Sequence, residues 1–219
     1  MTVQFHFHNE LTIEPLATID DSYAYPIVET FHSIQGEGAW FGVSAFFIRL
    51  AGCDVGCPWC DTKNSWSAKH HPTVTVAELC KQVAAAKPQM VVITGGEPLM
   101  HDLRPLTRRL QALNIPLHLE TSGAYPLSGE FDWVTLSPKT FKPPLSDIYG
   151  QVNELKVVID GEADLDWAIA EAQKIDPTIP KYLQPQWENE ASQRLVFDHV
   201  LANPDWRLGL QTHKFLGVQ

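Results

Sequence analysis

Basic residues are scarce in this chain: 16 Lys and Arg stand against 26 Asp and Glu, a formal charge of −10. A surface of that sign repels a phosphate backbone, which argues against a nucleic-acid binder. Long apolar runs are missing too, and nothing approaches the roughly 18 residues that span a bilayer. The opening residues, 1–8, hold no basic region followed by an apolar stretch, so no secretory signal is expected. Repeats, low-complexity tracts and Ser/Gly-rich linkers are absent across 219 residues, a length that suits one domain. Cysteine is rare, and four in the whole chain are too few for a disulfide scaffold. Three of the four crowd into eight positions, which points to a cytoplasmic protein that holds a metal.

What is present is an ordinary globular composition, 44% apolar and 19% charged. Residues 1–22 carry no clear period and read as an N-terminal extension, whereas 23–219 read as one domain. His6 and His8 in the extension suit a solvated tail or an edge strand better than a metal site. Residues 45–50 and 90–94 are apolar runs that predict strands. Between them Val76, Leu79, Cys80, Val83 and Ala84 recur at helical spacing, with Thr75 as N-cap and Glu78 three residues on. Asp102 is placed to cap a helix through Leu113. Further strands are expected over 117–120, 133–136, 154–159, 182–184 and 206–210, and further helices over 163–174 and 190–201. Repeated strand–helix–strand order predicts a parallel sheet with right-handed crossovers. Residues 122–132 and the Pro-rich 137–150 are too short or too broken for crossover helices, and an eight-fold barrel usually needs about 250 residues. The expected fold is therefore α/β: an incomplete, partial TIM-type barrel of parallel strands with some crossover helices missing.

Cys53, Cys57 and Cys60 are spaced C-x₃-C-x₂-C directly after the strand that ends at Leu50. In parallel α/β sheets ligands bind at that end of a strand. Three thiolates on one loop can wrap a single inorganic centre, with Gly52 and Gly56 letting the backbone turn. A structural zinc site needs four ligands; Cys80 falls on the apolar stripe of its helix, which leaves His70 or His71 to complete a Cys₃His set. Ferredoxin-type clusters take four cysteines and fit less well. A [4Fe–4S] cluster on three cysteines instead leaves one iron open to bind another molecule.

The cysteine loop, with the aromatic Trp59 before its last cysteine, resembles the signature of the radical S-adenosylmethionine enzymes. Thr94-Gly95-Gly96-Glu97-Pro98 resembles the motif by which that superfamily holds the methionine amino group; on its own it reads as a plain Gly-Gly turn. Further segments narrow the resemblance. They are Ser33-Ile34-Gln35-Gly36-Glu37-Gly38, Arg49 before the cysteines, Cys60-Asp61-Thr62, Glu120-Thr121-Ser122-Gly123, Ser137-Pro138-Lys139, Gln184-Pro185 and Gln211-Thr212-His213-Lys214. From about Tyr25 to the C-terminus the chain resembles the 7-carboxy-7-deazaguanine synthase family. A glycyl-radical activase would share the short chain and the three cysteines but needs no pocket for a small acid. A zinc-binding interaction module is the reading from another class.

The resemblance implies a [4Fe–4S] cluster on Cys53, Cys57 and Cys60, S-adenosylmethionine, and Mg²⁺ held through Thr62. It implies conversion of 6-carboxy-5,6,7,8-tetrahydropterin to 7-carboxy-7-deazaguanine with loss of ammonia, with no catalytic side chain beyond the cluster and cofactor. It also implies a homodimer supplied with electrons by a flavodoxin-like donor. The cofactor is then expected along Trp59, Cys60, Asp61, Gly95, Gly96, Glu97, Ser137, Pro138, Lys139, Gln184 and Pro185. The substrate is expected along Ile34, Gln35, Gly36, Glu37, Arg49, Thr94, Glu120, His213 and Gln219. Residue chemistry agrees, because the pterin's 2-aminopyrimidinone edge offers two N–H donors and a carbonyl, which carboxylates and amides match. The Arg49 fork suits a substrate carboxylate. Without the resemblance, Arg49 reads equally well as an outward-facing charge, and Thr62 as a turn residue bonding a backbone amide. His101, His118 and His199 read as surface or satisfied core residues.

Overall fold

The structure, a computed structural model, describes residues 22–219. His6, His8 and nearly all of the N-terminal extension lie outside the described residues. A hairpin of β1 (Ala24–Ile34) and β2 (Ser44–Leu50) opens the sheet, and the short β3 (Thr73–Thr75) pairs antiparallel with the outer edge of β1. From β2 onward every neighbour is parallel: β4 (Met90–Gly95), β5 (Leu117–Thr121), β6 (Trp133–Leu136), β7 (Glu154–Ile159), β8 (Lys181–Pro185) and β9 (Trp206–Leu208). Among the described residues nine strands run in the order β3-β1-β2-β4-β5-β6-β7-β8-β9, with β3 and β9 at the two ends. This is the expected partial barrel. The antiparallel β1 is an addition to it. Only Tyr25 and Ile27 of β1 are buried, so its sequence carries little alternation, and pairing with β2 rather than propensity makes it a strand.

Local chemistry sets most boundaries. Helix α1 (Val76–Ala86) starts where the Thr75 hydroxyl accepts from Glu78 N at 3.2 Å, and stops at Lys87 in the left-handed region. Helix α2 (Arg104–Gln111) begins later than expected: Leu103 is the cap position, and Asp102 instead accepts from Arg104 N at 3.1 Å and pairs with its guanidinium. Helices α3 (Glu162–Ala172) and α4 (Glu190–Ala202) follow β7 and β8, and α5 (Thr212–Leu216) follows β9. Among the described residues the crossover after β5 has no helix and the one after β6 has only a 3-10 turn, Ser146–Gln151.

The sheet's outer face carries the main core. Phe46, Ile48 and Leu50 of β2 join Ile93, Leu119, Val157 and Leu183 under residues such as Leu79, Val83, Leu106, Leu110 and Val196. Fully burying one such side chain contributes about 1.5–3 kcal/mol. Successive strand residues point to opposite faces, so Ala45 and Phe47 face inward, where they pack with Met90 and Val92 against Phe31. The same alternation turns Arg49 into the barrel.

Candidate active site

The cysteine loop leaves the C-terminal end of β2. Gly52 (φ +110°) and Gly56 (φ +74°) occupy left-handed backbone that other residues rarely adopt. Gly52 N donates to Ser65 O at 2.7 Å and Cys53 N to Trp66 O at 3.1 Å, which fastens the loop to the turn after it. Cys57 is buried, Cys53 and Cys60 are half-buried, and all three line one cavity. Burial raises the Cys53 thiol, with Glu97 and Cys60 adding to the rise. Burial likewise raises Cys57, against the pull of Lys139. Three mutually opposed thiols at a cavity wall are a donor set suited to a positive inorganic centre. Cys80 sits in the outer core, and His71 bonds Asn64 O at 2.8 Å, so the Cys₃His set is not assembled on this cavity.

The turn after β4 presses on that loop. A Cβ at Gly95 (φ +141°) would lie 2.2 Å from Leu50 O, and one at Gly96 would lie 2.3 Å from Gly52 O and 2.9 Å from Cys53 Cβ. Gly96 N donates to Leu50 O and Glu97 N to Gly52 O, both at 2.8 Å. The Glu97 carboxylate is 1% exposed and accepts from Leu99 N (3.0 Å), Thr121 Oγ1 (2.6 Å), Ser122 N (2.7 Å) and Ser122 Oγ. The amides of Gly96 and Glu97 and the Glu97 carboxylate tie β2, β4 and β5 together, and Gly95, Gly96 and Glu97 all line the cavity.

The opposite wall is acidic. Gln35 Nε2 donates to Glu120 Oε1 at 3.0 Å, Thr94 Oγ1 donates to Glu120 Oε2 at 3.1 Å, and Glu37 N donates to Gln35 Oε1 at 3.2 Å. Gly36 has no room for a side chain because His213 Nδ1 would stand 2.6 Å from its Cβ. Gly38 (φ +65°) has none because Glu154 Oε1 would stand at 2.1 Å. Lys156, buried in β7, pairs with Glu37 and reaches to 4.0 Å from Glu120 Oε1. Burial opposes the charge on Glu120, yet Lys156, Gln35 and Thr94 hold it below the usual carboxylate range. Arg49 faces the cavity with its Nε 2.8 Å from Glu29 Oε1 and its guanidinium above Phe31.

The C-terminal residues form a third side. Thr212 N donates to Gly36 O at 3.1 Å, Gln211 Nε2 to Glu37 Oε1 at 3.1 Å, and Gln219 Nε2 to Glu29 Oε2 at 3.1 Å. Lys214 donates to Asp61 Oδ2 at 2.8 Å, and despite burial this and its other hydrogen bonds hold Asp61 down at about 2. Thr62 does not bond a backbone amide as a turn residue would; its hydroxyl donates to Asp61 Oδ1 at 3.0 Å. Lys139 donates to Ser137 O and Oγ at 2.6 Å, and burial lowers its ammonium to about 8.

Every residue expected at the site lines this cavity of about 400 Å³ except Pro138 and Pro185. Those two point away because alternate residues of extended chain face opposite sides, and Ser137, Lys139 and Gln184 take the cavity side. The cavity also has walls that sequence reasoning missed, Lys156, Phe31 and Trp187, and Gln211 and Lys214 of the C-terminal segment line it as well. Lys156 did carry a signal, since it is a lone cation in an apolar strand, as Arg49 is. Of the remaining histidines, His101 Nε2 donates to Ala51 O at 2.8 Å and His118 is buried between Trp40 and Trp133. His199 departs from expectation, because its buried Nε2 has no partner.

Comparison with known proteins agrees with this geometry. The family profile described as the Radical SAM superfamily matches residues 47–161. A 7-carboxy-7-deazaguanine synthase from Synechocystis sp. is 61% identical over 196 residues, 90% of this chain and 94% of its own length. The synthase of the same name from Escherichia coli K12 is 36% identical over 222 residues, 89% of this chain and 99% of its own. The crystal structure of QueE from Escherichia coli superposes with a TM-score of 0.76 at 32% identity, covering 85% of this chain and 93% of that one. A cysteine loop, a glycine turn pressed onto it and an acidic wall, on a chain this similar to those synthases throughout its barrel, place the protein in the 7-carboxy-7-deazaguanine synthase family of the radical S-adenosylmethionine superfamily.

Proposed function

We propose that the cavity works between its two walls: the cluster and S-adenosylmethionine bind at the cysteine side, and 6-carboxy-5,6,7,8-tetrahydropterin binds at the acidic side. The protein is a radical S-adenosylmethionine lyase that converts this pterin to 7-carboxy-7-deazaguanine with loss of ammonia. The observation that carries the placement is the opposition of three cavity-lining thiols to two half-buried carboxylates, Glu37 and Glu120, held by Gln35, Thr94 and Lys156. When bound, the cluster and S-adenosylmethionine supply the carbon radical that takes hydrogen from C6 of the substrate, chemistry no side chain can perform.

The chain's own residues bind, orient and shield. Glu120 and Gln35 accept from the pterin's N–H edge. Glu29 engages Nε of Arg49, so the terminal amino groups of that fork meet the substrate carboxylate. Gln184 is 3% exposed and its Oε1 has no protein partner, so an N–H donor of the bound cofactor satisfies it. Ser137, Lys139 and Asp61 line the same side. His213 and the terminal residues through Gln219 close the cavity against water, which protects a carbon radical from side reactions. Thr62 offers Mg²⁺ only a neutral hydroxyl, so the ion depends on the substrate carboxylate for charge. Gly56 and Pro58 of the cysteine loop are exposed, which supports reduction by a flavodoxin-like donor at that face. Exposed Leu208, Leu210, Phe215 and Leu216 support a homodimer. No described helix is long and apolar enough to cross a membrane, and a cytoplasmic setting is the one that three reduced thiols suit.

Anaerobic reconstitution tests the reading. Iron and sulfide analysis should find about four of each per chain, and the pterin, S-adenosylmethionine and dithionite together should yield the deazapurine chromophore. Cys53→Ala, Cys57→Ala or Cys60→Ala should each lose the iron. Cys80→Ala should keep it and cost on the order of 1 kcal/mol of packing. A cluster-loaded sample that makes no deazapurine overturns the function, and a single zinc per chain overturns the cluster.

A further inference from the structure

Lys156 is a buried cation that the reaction itself leaves without a task. It is 7% exposed and pairs with Glu37 from the β1–β2 connection. It lies 4.0 Å from Glu120 of β5. Glu154, two residues earlier in β7, is buried beside it and accepts from Ala39 N at 2.8 Å. An ammonium inside an apolar parallel strand is expensive to desolvate and gains only modest net stability from ion pairs. Its position between the two carboxylates that face the cavity indicates a role in binding.

Two carboxylates sharing one small, water-poor wall resist ionising together, and one takes a proton. A protonated Glu120 would present O–H where the pterin presents N–H, and two donors would face each other. Among the surrounding charges Lys156 supplies the largest counterbalance at Glu120, with Arg49 adding a smaller one. Arg49 is engaged by Glu29, and Lys139 bonds Ser137 on the cysteine side. His213 is pushed toward its neutral form by burial, and Glu154 is likewise pushed toward neutral. Lys156 itself is raised, because Glu120 and Glu37 outweigh its burial.

We infer that Lys156 is a positioning residue that keeps Glu120 ionised beside Glu37, and so makes the cavity select a ring edge bearing N–H donors over one bearing acceptors. The inference rests on the pterin placement proposed above.

Equilibrium binding of 6-carboxytetrahydropterin to anaerobic protein loaded with cluster and S-adenosylmethionine, without reductant, reads it directly by calorimetry. Relative to the parent, Lys156→Met should bind about tenfold more weakly near pH 6.5, where one unit of displaced ionisation is a factor of ten. The deficit should shrink toward pH 9 as Glu120 regains its charge. Lys156→Arg should behave as the parent, and an analogue lacking the 2-amino group should lose less affinity in Lys156→Met than in the parent. Iron content and S-adenosylmethionine affinity should not change. Should Lys156→Met fail to fold, the neutral but polar Lys156→Gln should show the same recovery with pH. Parental binding, or a loss that does not vary with pH, reduces Lys156 to a structural tie. Glu120→Gln separates the two readings: if it binds as the parent does, the pterin placement falls, and if it alone loses affinity, only the role of Lys156 falls.

Discussion

Replacing Glu97 by Gln exchanges one carboxylate oxygen for an amide NH₂ at nearly constant volume. Oε1 accepts from Leu99 N at 3.0 Å and Thr121 Oγ1 at 2.6 Å, while Oε2 accepts from Ser122 N at 2.7 Å and from Ser122 Oγ. Hydroxyl hydrogens can rotate away from a new donor, but backbone N–H groups cannot. Whichever way the amide faces, one fixed N–H meets another donor at a site 1% exposed. One buried donor left unpaired costs about 1–3 kcal/mol. The three remaining bonds lose their charge assistance, about 0.5–1 kcal/mol each, since bonds to ionised groups are roughly twice as strong. The expected loss is about 3–5 kcal/mol, a large part of the roughly 5–15 kcal/mol that holds a domain. For a chain of this size it lowers Tm by about 10 °C. Urea unfolding of the anaerobic protein, followed by circular dichroism, measures it. A loss below about 1 kcal/mol would refute the reasoning. Parental stability with weakened S-adenosylmethionine binding would return Glu97 to a direct role at the cofactor.

Gly96→Ala should release iron, because the new Cβ stands 2.3 Å from Gly52 O and the cysteine loop must move by on the order of 1 Å to reach ordinary contact; parental iron after desalting would show that the loop gives way freely. His118 is pushed down to about 4 by burial, against an ordinary value of 6.5. A histidine held neutral in the fold stabilises fully above its unfolded value and loses that contribution as pH falls through 6.5 toward about 4. The loss is about 3 kcal/mol. His118→Phe should therefore flatten the stability profile over that window, and an unchanged acid limb would place the titration elsewhere. Deleting residues 212–219 should raise the KM for the pterin strongly while iron content stays intact, since the tail touches Gly36, Asp61 and Glu29 but no described cysteine-loop amide; full activity would show that the tail does not close the cavity.

Local pattern alone determined the parallel strands, helices α1 to α4 and the cysteine loop of this protein, because periodicity, caps and thiol spacing act over a few residues. The Thr75 cap and the C-x₃-C-x₂-C loop are legible for that reason, and so is the open barrel, whose missing crossover helices show as a short, broken segment at 122–132 and a proline-rich one at 137–150. Family motifs then pointed to the residues that line the cavity. Tertiary structure decided what those residues do for one another. The strand character of Ala24–Ile34 comes from its partner β2, since only two of its side chains are buried. Glu97 belongs to an internal tie because Thr121 and Ser122, some 25 residues away, converge on it. Lys156 meets Glu37 across 119 residues, and Lys214 meets Asp61 across 153. Contacts of that span leave no period in the sequence; they exist only because parallel crossovers bring the C-terminal ends of successive strands to one rim, where burial makes each unpaired charge costly enough to require a partner.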